Sequence, residues 1–143
     1  MILTETAREI GINAPKDHQR VISKLNAGLA MLFYKEGKIN LEPLPETMID
    51  EGQTSPVPDI LLYNNQENTT PVVIEVSHPT GVRGDLKKVR RLIEEEDYGT
   101  IEGFVFDYVN RIWKKYVKGV GEVTENPSWS DVLQVDLHQV MIL

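Results

Sequence analysis

The chain has 143 residues, 41% of them hydrophobic, which suits one domain with its own core spanning 1–143. It contains no cysteine, which excludes a disulfide framework and a cysteine-based zinc site and fits a reducing cytoplasm. A formal net charge of −7 argues against the overall basic footprint of a tight, sequence-independent nucleic-acid binder.

The opening "MILTETAREIGINAP" lacks a basic start followed by an apolar stretch, so it does not read as a signal peptide. No apolar run approaches the roughly 20 residues needed to span a membrane, and a cytoplasmic location is expected. "DHQRVISKLNAGLAMLFYKEG" reads as a helix, with Asp17 as a candidate N-cap, Val21, Leu25, Leu29 and Leu32 at helical spacing, and Gly37 marking the exit. "KINLEPL" and "TMID" are candidate short strands. Pro43 and Pro45 put this region at a sheet edge or a bulge. Two hydrophobic runs follow, 58–63 and 71–77, separated by a polar gap. "HPTG" breaks the chain, and "VRGDLKKVRRLIEEED" predicts a second helix with Leu86, Val89 and Ile93 on one stripe. "IEGFVFDY" and "RIWKKYV" read as two strands joined by a turn at Val109 and Asn110, and "DVLQVDLHQVMIL" as a last strand or short helix. The order predicts a mixed sheet flanked by helices, with a parallel crossover joining the 71–77 and 101–108 strands.

Each run of the 58–77 pair carries one acid, Asp59 and Glu75. A symmetric antiparallel hairpin centred on Glu67 sets position 59 against 75, Ile60 against Ile74 and Leu61 against Val73. Opposed side chains share one face about 4.5–5.5 Å apart at Cβ, where like charges repel. A proton, a basic side chain or a divalent cation must neutralise them, and a hard cation such as Mg²⁺ takes carboxylate oxygens. The alternative is that Asp59 is a turn residue after Pro58 and Glu75 pairs with a lysine or arginine.

Pro58-Asp59, then Glu75-Val76-Ser77 after a polar gap, resembles the PD-(D/E)XK nuclease superfamily. More specifically, the chain is similar to the Uma-type family named as restriction endonucleases, common in cyanobacteria. "DHQRVISKLNAGL" resembles that family's opening helix with its His-Gln-Arg. "PVVIEVSHPTGVRGDLKK" resembles its Val-Glu-Val-x-Ser-Pro-Ser segment and following helix, and "IEGFVFDYVNRIWKKY" resembles its Glu-Tyr-Trp-x-x-Asp strand and the next. The likeness runs over roughly residues 15–140.

The resemblance implies a restriction-endonuclease-like core, a central mixed β-sheet flanked by helices. It implies metal-dependent hydrolysis of DNA phosphodiester bonds, with Asp59 and Glu75 holding Mg²⁺ or Mn²⁺ and the Val76 carbonyl as a third ligand. The superfamily lysine two residues after the glutamate is here Ser77, which cannot supply a positive charge. The similar family also lacks that lysine and takes one from the following helix. Lys88 is the candidate, one turn from Asp85, with Lys87 and Arg91 as alternatives. Counting from Asp85 would place the lysine at Val89, and counting back from Glu102 at Arg91, so a gap near "EEED" is needed.

Several residues keep two readings. Asp17 is a helix cap or an accessory metal ligand. His18 touches the metal or phosphate, or only packs beside the sheet. His78 lines the cleft or makes a turn, and His138 is structural. Asp85 pairs with Lys88 or orients it toward the acids. Phe104, Phe106 and Tyr108 alternate into the core, and Trp113 is core or interface. The basic clusters "KKVRR" and "RIWKKYVK" are solvated faces or nucleic-acid contacts. The competing functions are a Mg²⁺-dependent endonuclease, a catalytically inactive binding or assembly protein on the same fold, and a hydrolase of another phosphoester. A homodimer is expected, because cutting two strands takes two active sites, with the "RIWKKYVK" strand free to pair with a symmetry mate.

Overall fold

The computed structural model describes residues 15–50 and 55–142. The signal-peptide reading of the N-terminal stretch, up to residue 14, and the two ends of the expected 1–143 domain lie outside the described residues.

Helix α1 (Lys16–Ala30) forms where Val21, Leu25 and Leu29 recur every fourth residue, and it buries that stripe together with Ile22. Pro15 stands at its N-cap with no side-chain cap bond. Asp17 is therefore not the cap: it lies inside the first turn, and its carboxylate accepts from Arg20 at 2.8 Å. The helix widens into a π-turn (Met31–Lys35), and Gly37 leaves it at φ 63°. Strand β1 (Glu42–Pro45) contains both prolines and, among the described residues, pairs on one side only, with β2, as an edge position allows. "TMID" forms no strand.

Strands β2 (Ile60–Asn64) and β3 (Thr69–Ser77) make the expected antiparallel hairpin, with Ile60 against Ile74 and Leu61 against Val73. The register slips between Leu62 and Asn64, so Asn64 meets Thr69 and the turn is tighter than the symmetric one. Asn64 holds that turn by accepting from the N–H groups of Gln66 and Glu67. Helix α2 (Val82–Glu94) then carries the chain to β4 (Glu102–Asp107), which lies parallel to β3. Asp107 accepts from the Val109 and Asn110 N–H groups and turns the chain into antiparallel β5 (Ile112–Val117). Strand β6 (Gly121–Val123) closes a six-stranded sheet ordered β1-β2-β3-β4-β5-β6. Because β6 pairs with Lys115–Val117, the "RIWKKYVK" strand is not a bare edge waiting for a symmetry mate. The tail gives both a small β7–β8 pair (Trp129–Ser130, Val135–Asp136) and a short helix α3 (Leu137–Ile142).

Alternation along the strands sorts the core into two layers. Ile60, Leu62, Ile74, Val76, Phe104, Phe106 and Trp113 meet α1 and α3 on one face. Leu61, Val73 and Val105 meet Val89, Leu92 and Ile93 of α2 on the other. Central strands covered on both sides explain why β3 and β4 are buried along almost their whole length. At Gly103 helix α2 comes so close that an added Cβ would lie 2.1 Å from Val89 Cγ1. The Trp113 indole N–H donates to His138 at 3.1 Å, so both serve the core.

One cation departs from the expected solvated face. Lys115 is buried, donating to the Trp129 carbonyl at 2.7 Å and to Asp131 at 2.9 Å, with Glu102 at 3.7 Å. Glu102 in turn accepts from Ser130 and from the Asp131 N–H. This buried polar network ties the 129–136 segment to β4 and β5. Among the described residues, no helix is long and apolar enough to cross a membrane.

Candidate functional site

The site lies where β2 begins and β3 ends. The register that opposes Ile60 and Ile74 brings Asp59 beside Glu75 on the α2 side of the sheet. The Asp59 carboxylate accepts from the Val76 N–H at 2.7 Å, and the Asp59 N–H reaches Glu75 Oε1 at 3.4 Å. Glu75 is almost wholly buried, with 3% of its side chain exposed. Helix α2 delivers Lys88, whose Nζ lies 3.2 Å from Glu75 Oε2 and whose side chain is 44% exposed. The helix also delivers Asp85, which accepts the Ser77 hydroxyl hydrogen. Helix α1 delivers His18 from the opposite layer. Its Nε2 donates to the Val76 carbonyl at 2.8 Å and stands 3.8 Å from Asp59 Oδ2. The carbonyl can only accept, so Nε2 carries the hydrogen, and Nδ1 accepts from Gln19 at 3.4 Å. The His18 ring meets Tyr108 edge-on at 5.7 Å.

The charges are unbalanced: Asp59, Glu75 and Asp85 share one nearby lysine. Burial, then the Asp59 carboxylate, push Glu75 up to about 8, against the opposing pull of Lys88. Burial also holds Asp59 above the ordinary carboxylate range, although the Val76 N–H, His18 and Glu75 work the other way. For Lys88, desolvation favours loss of the proton, but Glu75, Asp85 and Asp59 outweigh it and raise the amine. Burial and the neighbouring carboxylates thus favour the protonated form of Glu75 in the folded protein.

Among the described residues, no group of three or more His, Asp or Glu side chains is arranged as a ready-made metal cage. The donors at the site are two carboxylates and the Val76 carbonyl. Glu75 Oε2 is buried without a regular hydrogen bond among the described residues, with the Lys88 ammonium 3.2 Å away as an ion pair. An oxygen-only set with one such orphan suits a hard divalent cation in kind.

The structure brings together Asp59, Glu75, Val76, His18, Ser77, Asp85 and Lys88. It does not bring in Asp17, whose exposed carboxylate is on Arg20. Lys87 and Arg91 are exposed on α2, and of the three basic candidates Lys88 is the one at Glu75. Asp85 bonds Ser77 rather than forming the simple i,i+3 pair with Lys88. His78 caps the 3-10 turn at Pro79–Gly81 through the Thr80 N–H. A further group escaped the sequence reading: Lys16, Arg20 and Lys24 recur every fourth residue on the exposed side of α1, and the signal for them was that spacing.

A mixed six-stranded sheet with helices on both faces and acids at the β2–β3 end defines a restriction-endonuclease-like α/β fold. Solved structures carry the same architecture. One is a protein from Anabaena variabilis ATCC 29413 described as a "putative nuclease belonging to DUF820". It is 14% identical, with a TM-score of 0.65, over 90% of this chain and 82% of that one. Another is the type IIG restriction endonuclease BpuSI, 11% identical with a TM-score of 0.54, over 87% of this chain but only 15% of that one. No family model and no curated protein matches the chain. The fold expected from the Uma-type and PD-(D/E)XK resemblance is the fold observed.

Proposed function

We propose that this chain is a metal-dependent nuclease that hydrolyses DNA phosphodiester bonds at the Asp59–Glu75 pair. The observation that carries the reading is the hairpin register, which sets buried Glu75 beside half-buried Asp59, with Lys88 Nζ 3.2 Å from Glu75. Asp59, Glu75 and the Val76 carbonyl would hold the cation, Mg²⁺ or Mn²⁺. A bound cation of this kind lowers the pKa of its water and offsets charge on the phosphate. The chain's own residues supply the remainder. Lys88, half-exposed at the mouth of the site, is placed to hold the attacking water or to stabilise negative charge on the phosphoryl oxygens. Asp85, anchored on Ser77, fixes the first turn of α2 and so the direction from which Lys88 arrives. His18 pins the Val76 carbonyl and hence the end of β3.

The test is relaxation of supercoiled plasmid at low salt with Mg²⁺ or Mn²⁺. Nicking by the wild type that disappears in Asp59→Ala and Glu75→Ala supports the reading. No nicking with either ion, from a folded protein, overturns it. Since cutting both strands takes two centres, we propose a homodimer, and a sedimentation experiment showing only monomer would remove that part.

A second reading has its own support. Ser77 replaces the motif lysine and its hydroxyl is engaged by Asp85, while Lys88 Nζ already stands 3.2 Å from Glu75. A protein of this fold that binds but does not cut would keep those contacts, show no divalent-ion binding and leave plasmid intact.

A further inference from the structure

The acids present a difficulty for a polyanionic substrate. Three acidic side chains with one lysine offer phosphate little attraction of their own, and a net charge of −7 gives no general attraction. The backbone must therefore be held beside the acids. Along the exposed side of α1, Lys16, Arg20 and Lys24 follow one another at four-residue steps, about 6 Å apart. Arg111, from the β4–β5 turn, comes in from the other side. Arg20, Lys24, Arg111 and Tyr108 line one cleft of about 270 Å³ with Asp17, Val21 and Met141. Tyr108 is also the ring that His18 meets edge-on, so this cleft abuts the acid site through one residue. The Asp17–Arg20 pair is 72% and 66% exposed, so it is weak and phosphate can replace the carboxylate. The other basic face, on α2, is more compromised: the hollow holding Arg83, Lys87 and Arg90 also contains Glu122, and Tyr116 there bonds Glu94.

We propose that the Lys16–Arg20–Lys24 row with Arg111 is the phosphate track that grips duplex DNA and leads its backbone to the acids. The proposal rests on the nuclease reading for its substrate, but its test is separate. Affinity of the full chain for a fluorescein-labelled duplex of roughly 20 base pairs is measured by anisotropy in EDTA across a salt series. The variants are Lys24→Glu/Arg111→Glu, Lys16→Ala/Lys24→Ala, and a control, Arg83→Glu/Arg90→Glu. The first should weaken binding more than about tenfold and flatten the slope of log K against log salt by about 1.8, roughly 0.9 per lost phosphate contact. The alanine pair, confined to an exposed helix face and so safe for folding, should flatten it by a similar amount, and the control should bind as the wild type does. If both α1 variants bind like the wild type, or the control alone loses affinity, the track is wrong while plasmid nicking leaves the nuclease reading intact. A wild type that binds no duplex at low salt overturns the track, and the Mn²⁺ nicking assay then decides the nuclease reading by itself.

Discussion

Replacing Glu75 by glutamine keeps the shape of a buried side chain and removes its charge. In the folded, metal-free protein the Glu75 carboxyl is raised from 4.5 to about 8, mainly by burial and then by Asp59. Its folded value is above its unfolded one, so the protonated form favours folding. That contribution is complete below pH 4.5 and is lost as pH rises through 8. Between those limits the unfolded chain has given up the proton while the folded one has not, which costs about 1.4 kcal/mol per pH unit. By pH 7 the accumulated penalty is about 3 kcal/mol, a large fraction of the roughly 5–15 kcal/mol that holds a domain folded. Glu75→Gln does not titrate and escapes it. Urea unfolding of both proteins in EDTA, from pH 5 to pH 8, should show the variant gaining on the wild type steadily and levelling off near pH 8. A difference that stays flat with pH, or a wild type more stable than the variant at pH 7.5, would mean that Lys88 keeps Glu75 ionised and that the proton-holding account is wrong.

Other perturbations test other parts. Lys88→Ala should reduce plasmid nicking by about 10²–10³-fold, the scale for losing one stabiliser of transition-state charge, with little change in urea midpoint; full activity in Lys88→Ala would shift the role to Lys87 or Arg91. Gly103→Ala should cost about 1–3 kcal/mol in urea unfolding, because its Cβ would press on Val89. Truncating Lys115 to alanine should destabilise by about 3–5 kcal/mol, since Glu102 would be left buried without its cation. An unchanged midpoint in either variant would contradict the packing described.

Much of the fold was legible because period-2 and period-3.6 patterns are strong here. Val21, Leu25 and Leu29 mark α1, and the equal flanks of "PDILLY" and "PVVIEV" set the Ile60–Ile74 register that places the acids. The tighter turn with Asn64 against Thr69 was not legible, since a bulge leaves the hydrophobic pattern intact on the side toward Asp59. "TMID" has strand-like composition but pairs with no strand among the described residues. Asp17 has the right chemistry for a cap, yet the helix is entered two residues earlier, at Pro15. Period 2 puts Lys115 on the face of Trp113, yet its charge makes it read as solvent-facing. Its burial depends on Asp131 and the Trp129 carbonyl folding over it from a distant segment. Of the site, the pairing of Asp59 with Glu75 follows from the motif and register, whereas which of Lys87, Lys88 and Arg91 reaches Glu75, and the engagement of Ser77 by Asp85, needed the position of α2 against β3.

The central claim is that two opposed carboxylates on one hairpin share a divalent ion. Calorimetric titration of the full chain with Mn²⁺ at pH 7.5 measures it directly, beside Asp59→Ala and Glu75→Ala. The account predicts saturable binding by the wild type, proton release as Glu75 ionises, and loss of the heat in both variants. Absence of heat from a folded wild type, or equal binding by all three proteins, would contradict it.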